Sequence, residues 1–140
     1  MAGPDKRPIV TVDTVLFTLR DGALATLLQP RARAPHAGRL ALVGGYVRPA
    51  EDSGTTAAAA RILAEKAGLT EIYLEQLMTF AGPDRDPRGW SLSVAHYALV
   101  PESALAGAAR DIQVLPLSEV PPLPFDHDAI LEAALARLRG

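Results

Sequence analysis

Hydrophobic positions in this chain fall into short β-branched runs broken by turn residues, with two stretches of helical period between and after them. Ile9 to Leu19 (IVTVDTVLFTL) is β-branched and aromatic with partial alternation, which predicts a strand. Arg20, Asp21 and Gly22 supply a hairpin turn, and Ala23 to Gln29 returns as the partner strand. Pro30 to Arg39 is a basic, proline-containing loop, and Leu40 to Val43 is a short strand leading into Gly44 and Gly45. A polar loop with Glu51 and Asp52 then opens a helix rich in alanine. Ser53, Thr55 and Thr56 are candidate N-caps, Arg61 and Glu65 are spaced i,i+4, and Gly68 stands where a left-handed C-cap is expected.

Beyond this helix, Ile72 to Phe80 is expected to be extended, with Tyr73 and Phe80 partly buried. Ala81 to Gly89 is a charged turn, and Trp90 to Val100 alternates as a strand does. Pro101 to Ala109 is a small-residue connection with room for one helical turn, and Ile112 to Leu117 is a further short strand. A proline-rich stop over Val120 to Pro124 precedes a last helix from Asp126. Its body, Ala129 to Leu138, carries Ile130, Leu131, Ala134, Leu135 and Leu138 along one side. No internal repeat or linker interrupts the series, so one mixed α/β unit over residues 1–140 is expected.

Composition narrows the function classes. At 140 residues with 49% hydrophobic content, the chain can bury a real core. A net charge of −2 without a concentrated basic cluster argues against a nucleic-acid groove. The absence of cysteine excludes disulfides and thiolate metal sites. No apolar run reaches the ~18 residues of a membrane span, and MAGPDKRP lacks the apolar core of a signal peptide. A cytoplasmic protein without membrane partners is the expectation.

The stretch from Gly45 to Leu69 carries a resemblance to a known family. Gly45, five residues and Glu51, followed by Arg61, Leu63, Glu65, Gly68 and Leu69, are similar to the Nudix box. Nine residues separate Glu51 from Arg61 where the family has seven, which implies a two-residue insertion near Gly54 and Thr55. TFAGPDRDPRGWSLSVAHYALV and LPFDHDAILEAAL resemble the branch containing ADP-ribose pyrophosphatase-like enzymes and Nudix-related regulators of NAD metabolism. The resemblance implies an α+β fold, an α/β/α sandwich with a mixed β-sheet. It implies a small-molecule nucleotide ligand, a nucleoside diphosphate linked to another group with ADP-ribose first, and a possible homodimer. The regulators it resembles carry a C-terminal winged-helix domain, and none follows the box here before Gly140.

In relatives that hydrolyse, three glutamates at i, i+3 and i+4 share one face of the box helix, hold Mg²⁺ or Mn²⁺ and activate water. The matching positions here are Ile62, Glu65 and Lys66, so the face is formally neutral, and Leu40 and Val43 replace a usual Trp and Pro. The box is degenerate. Weak or lost pyrophosphohydrolase activity follows as one expectation, with Glu65 as the main catalytic and metal-ligating residue and Glu51 as its helper. A non-hydrolytic binding module or a repurposed scaffold, needing no metal, is the alternative.

Gly44, Gly45, Arg48, Lys66 and Arg88 are the candidate ligand contacts, chosen for close backbone approach and positive charge; Gly68 has a structural role as C-cap, and the resemblance gives Arg61 one through an ion pair to Glu51. The Lys66 ammonium could substitute for a metal on a pyrophosphate; an exposed lysine paired with Glu65 or Glu71 is the plainer reading. Asp84, Arg85, Asp86 and Arg88 form either a substrate loop or a solvated turn. His36 lies in a loop, His96 in a sheet face, and His127 is either packed at a helix start or a general base.

Overall fold

The computed structural model describes residues 7–140, so the frayed start expected over Met1 to Pro8 lies almost wholly outside the described residues. The organising strand is β1 (Ile9–Arg20), whose residues from Val12 to Thr18 are all buried. It turns through Asp21 and Gly22, both at positive φ, into antiparallel β2 (Ala23–Pro30). On its other side it pairs in parallel with β6 (Ser91–Leu99), and β5 (Glu75–Gly82) lies antiparallel beyond. Two short strands, β3 (Leu40–Ala41) and β4 (Val43–Tyr46), pair with β2 and β1 respectively, while β7 (Gln113–Pro116) pairs with β2. The sheet is therefore mixed, as expected.

Alternation along β1 sorts its side chains to two faces. Val12 and Leu16 join one core with Ala58, Ala59 and Ile62 of helix α1 (Thr55–Ile62); Val15 and Phe17 join another with Ile130 and Ala134 of helix α2 (His127–Arg139). Helices on opposite faces give the expected α/β/α sandwich. The alanine run explains the close seat of α1: Ala58 and Ala59 are fully buried, and only small side chains let a helix approach a sheet so nearly. The stripe on α2 is as expected, with Leu131, Leu135 and Leu138 packed around its buried residues. No helix among the described residues is long and apolar enough to cross a membrane.

Three local expectations are revised. The N-cap of α1 is Gly54, without a side-chain cap; the Thr56 hydroxyl instead meets Nε2 of buried His96 at 3.1 Å. That histidine bonds Val94 O through Nδ1, and burial pushes its pKa below the ordinary value, so it is a neutral packing residue. Leu40 to Val43 is two strands, because the chain changes partner at Leu42, whose N–H is taken by His127 Nδ1 rather than by a ladder. Tyr73 is 81% exposed, since β5 begins at Glu75 and Ile72 and Leu74 turn inward before it.

α1 runs on through a π-helical turn (Leu63–Ala67) and stops at Gly68, with φ of 69°. A Cβ there would lie 2.8 Å from Gly107 O as well as straining the left-handed backbone. Gly68→Ala should therefore cost about 1–3 kcal/mol of stability, measured by urea unfolding. An unchanged midpoint would contradict this account of the helix end.

Candidate functional site

A cleft of about 690 Å³ opens between the C-terminal part of α1, strand β4, the loop 30–39, the turn 84–89 and the start of α2. Seven cationic side chains line it against four carboxylates. Of the ligand residues expected from sequence, Gly44, Gly45, Arg48, Lys66 and Arg88 all line this cleft, as do Arg61 and Glu65; Glu51 does not.

Arg61 fixes the helical wall. Its guanidinium, 15% exposed, forks onto both oxygens of Asp52 at 2.8 and 2.9 Å, and also bonds Tyr46 O at 2.9 Å and Glu65 at 3.3 Å. The partner expected from sequence was Glu51. The two extra residues before the helix bring Asp52 to the arginine and leave Glu51 outside, where it meets Arg48 at 3.6 Å. The bonds from Arg61 and from the Arg48 backbone hold the Asp52 pKa down at about 2. Glu65 in turn lies between two guanidiniums, Arg48 at 3.1 Å and Arg61 at 3.3 Å.

Lys66 points inward. Its Nζ donates to Gly44 O at 2.5 Å, and among the described residues neither Glu65 nor Glu71 is its ion-pair partner. The residue as a whole is exposed in the open cleft, but its ammonium is drawn in among protein atoms. That desolvation, with the repulsion of Arg31, pushes its pKa below the usual lysine value. Both glycines are required by close approach. A Cβ on Gly44 would stand 2.1 Å from Asp13 Oδ1, and one on Gly45 would crowd Ile62 and the Lys66 Nζ at 3.2 and 3.3 Å.

A divalent metal in the family manner needs several carboxylate oxygens on this helix face. The residues present do not fit: Ile62 offers none, Lys66 brings a like charge, and the oxygens of Glu65 are already engaged by arginines. Among the described residues no group of three or more His, Cys, Asp or Glu side chains could hold an ion.

The opposite wall holds residues that sequence reading passed over. Asp13, a lone acid on an inward position of β1, accepts from Ser93 Oγ at 2.6 Å and faces His127 Nε2 at 3.4 Å. His127 Nδ1 accepts the Leu42 N–H, so the buried ring fastens the junction between β3 and β4 to the start of α2 and turns Nε2 toward Asp13. An acid within a β-branched run was the available signal for Asp13. Arg31 lies 4.8 Å over the Phe125 ring, and His36 meets that ring edge-on. The turn 84–89 is ordered by ion pairs, not merely solvated. Arg85 forks onto Asp126 at 2.7 and 2.9 Å, and buried Asp86 takes Arg88 at 2.7 Å. Burial opposes the charge of Asp86, but the bonds from Arg88 prevail and keep its pKa below the usual carboxylate value.

Comparison with known proteins agrees with this architecture. The NUDIX domain family model matches residues 8–137. The chain is 36% identical to the ADPR responsive transcriptional repressor NtrR of Acinetobacter baylyi, over 95% of its own length and 55% of the repressor's. It spans only about half of that relative. It is 32% identical to an ADP-ribose pyrophosphatase of Methanocaldococcus jannaschii, over 89% of this chain and 72% of the enzyme. The NUDIX domain of Shewanella oneidensis NrtR, solved in complex with ADP ribose, superposes with a TM-score of 0.87 at 36% identity, covering 99% of this chain and 93% of that one. NrtR from the same organism has also been solved with a 27mer DNA; there the TM-score is 0.83 at 38% identity, over 92% of this chain and 61% of that one. The lack of a concentrated basic cluster along the sequence, on which the expectation of no nucleic-acid partner rested, therefore does not by itself exclude DNA for a relative of this kind.

The Asp52–Arg61 pair gives a pH test. Because the folded pKa lies below the ordinary 3.8, its stabilisation is complete above about pH 4 and is lost as pH falls through about 2. Carbon-detected NMR of the Asp52 carboxyl should show a midpoint near the lower value; titration at the ordinary one would mean the fork does not form in solution.

Proposed function

The chain belongs to the Nudix family, and from that premise we propose that it binds a nucleoside diphosphate linked to another moiety, of the ADP-ribose kind, with metal-dependent hydrolysis weak or lost. The observation that carries this reading is the state of the box helix: Glu65 is held by two guanidiniums and Lys66 is turned onto Gly44 O. The cleft beside it is large enough for such a ligand and predominantly cationic. Gly44 and Gly45 allow close approach, while Arg48, Lys66 and Arg88 supply charge-assisted hydrogen bonds to phosphate or ribose oxygens. The names of the Acinetobacter and Shewanella relatives, which refer to ADP-ribose, support the ligand class.

Retained hydrolysis is the second reading, favoured by the similarity to the Methanocaldococcus pyrophosphatase. In it Glu65 is the main ligand of Mg²⁺ or Mn²⁺ and Glu51 the helper. The arginines on Glu65 and the outward place of Glu51 weigh against it. One Nudix unit over 1–140, a cytoplasmic location and a homodimer belong to the proposal on family grounds alone.

Calorimetry and product analysis with ADP-ribose test the choice. We expect saturable binding with little AMP or ribose phosphate formed in either Mg²⁺ or Mn²⁺, and Glu65→Gln should leave that low rate unchanged. Brisk turnover abolished by Glu65→Gln would overturn the reading.

A further inference from the structure

The cations of the cleft differ in how fully they are matched. Arg61, Arg85 and Arg88 each fork onto a carboxylate, and Arg48 is shared between Glu51 and Glu65. Three others are left without an acidic partner among the described residues: Lys66 on the helix, and Arg31 and Arg33 on the facing loop. Lys66 is held only by a neutral carbonyl, Gly44 O. Arg31 spends its Nε on Pro35 O at 2.7 Å and rests its plane on Phe125, which leaves its terminal nitrogens unengaged among the described residues. Of the remaining cleft acids, Asp13 lies behind Gly44 and is taken up by Ser93 and His127, and Asp111 accepts from Gln29 at 2.9 Å.

Like charges gathered in one concave space repel each other, and the acids within reach, Asp13 and Asp86, are already engaged by other side chains. Lys66, Arg31 and Arg33 all line this one cleft, with Arg88 beside them, so the three cations face a single ligand space. Such an arrangement is complementary to a compact multivalent anion. The helix position that supplies a metal-binding carboxylate in hydrolytic relatives supplies an ammonium here, at the floor of the same cleft.

We propose that Lys66, with Arg31 and Arg33, forms a fixed-charge site for a pyrophosphate group that needs no divalent metal. This rests on the nucleoside-diphosphate reading for the rest of the ligand, but the anion site stands on its own geometry. The ammonium gives a point charge with donors to spare beyond Gly44 O, and the two guanidiniums close over the phosphates from the loop. Because the charge is built into the chain, Mg²⁺ competes for the phosphates instead of bridging them to the protein.

The test is titration calorimetry of the full chain with ADP-ribose and with inorganic pyrophosphate, each in EDTA and again in Mg²⁺. Both ligands should bind in EDTA, and added Mg²⁺ should not tighten either. Lys66→Gln should weaken both about tenfold or more, as expected for loss of a charge-assisted contact. Arg33→Gln, an exposed loop change that leaves the fold alone, should weaken both by a smaller factor. Pyrophosphate binding without ADP-ribose binding would support the anion site and remove the nucleoside reading. ADP-ribose binding that requires Mg²⁺, or that is undiminished in both variants, would overturn the anion site and leave the nucleoside reading intact.

Discussion

The half-buried arm of Arg61 is the joint on which the cleft depends. One guanidinium ties the loop before α1 through Asp52, the end of β4 through Tyr46 O, and the helix's own next turn through Glu65. Five donors in a rigid plane suit this work, which a lysine could not reproduce. A pair this well covered contributes to specificity of arrangement more surely than to net stability, because desolvation offsets much of the attraction. Loss of either partner is the damaging event, for it strands a charge. The consequence for the site is that Glu65 is held and oriented by two arginines.

Around that joint, the two walls of the cleft divide the labour. The α1 wall is a set of satisfied charges framing one inward ammonium. The wall from the loop 30–39 and the turn 84–89 is braced by the Arg85–Asp126 and Asp86–Arg88 pairs, with Phe125 as a platform under Arg31. The backbone scaffold is shared with relatives, and the side chains on one helix face set the electrostatics of this cleft.

Much of this was legible in the chain. The β-branched run over Ile9 to Leu19, the Asp-Gly turn and the stripe from Ile130 to Leu138 are local signals, and each element formed where its period placed it. The replacement of two glutamates by Ile62 and Lys66 was equally visible, and it foretold the poor fit for a metal. What local pattern could not give was partnership across the sheet. Asp52 in place of Glu51 depends on how an insertion folds back. Thr56 forgoes its cap because His96 offers a buried acceptor 40 residues away. Asp13 and His127 meet only because β1 and α2 share a face, and neither has any mark of this in its own neighbourhood.

The parallel pairing of β1 with β6 carries one more implication. Asp13 and Ser93, which close the back of the cleft, are 80 residues apart along the chain, and nine registered pairs join their strands. Contacts of such long range must overcome loop-closure entropy before they give any return, so this region depends on the sheet as a whole and not on local pairing. The cleft thus has no existence independent of the complete sheet, and a ligand bound there would draw on the folding equilibrium of the whole molecule, making occupancy itself a source of thermal resistance.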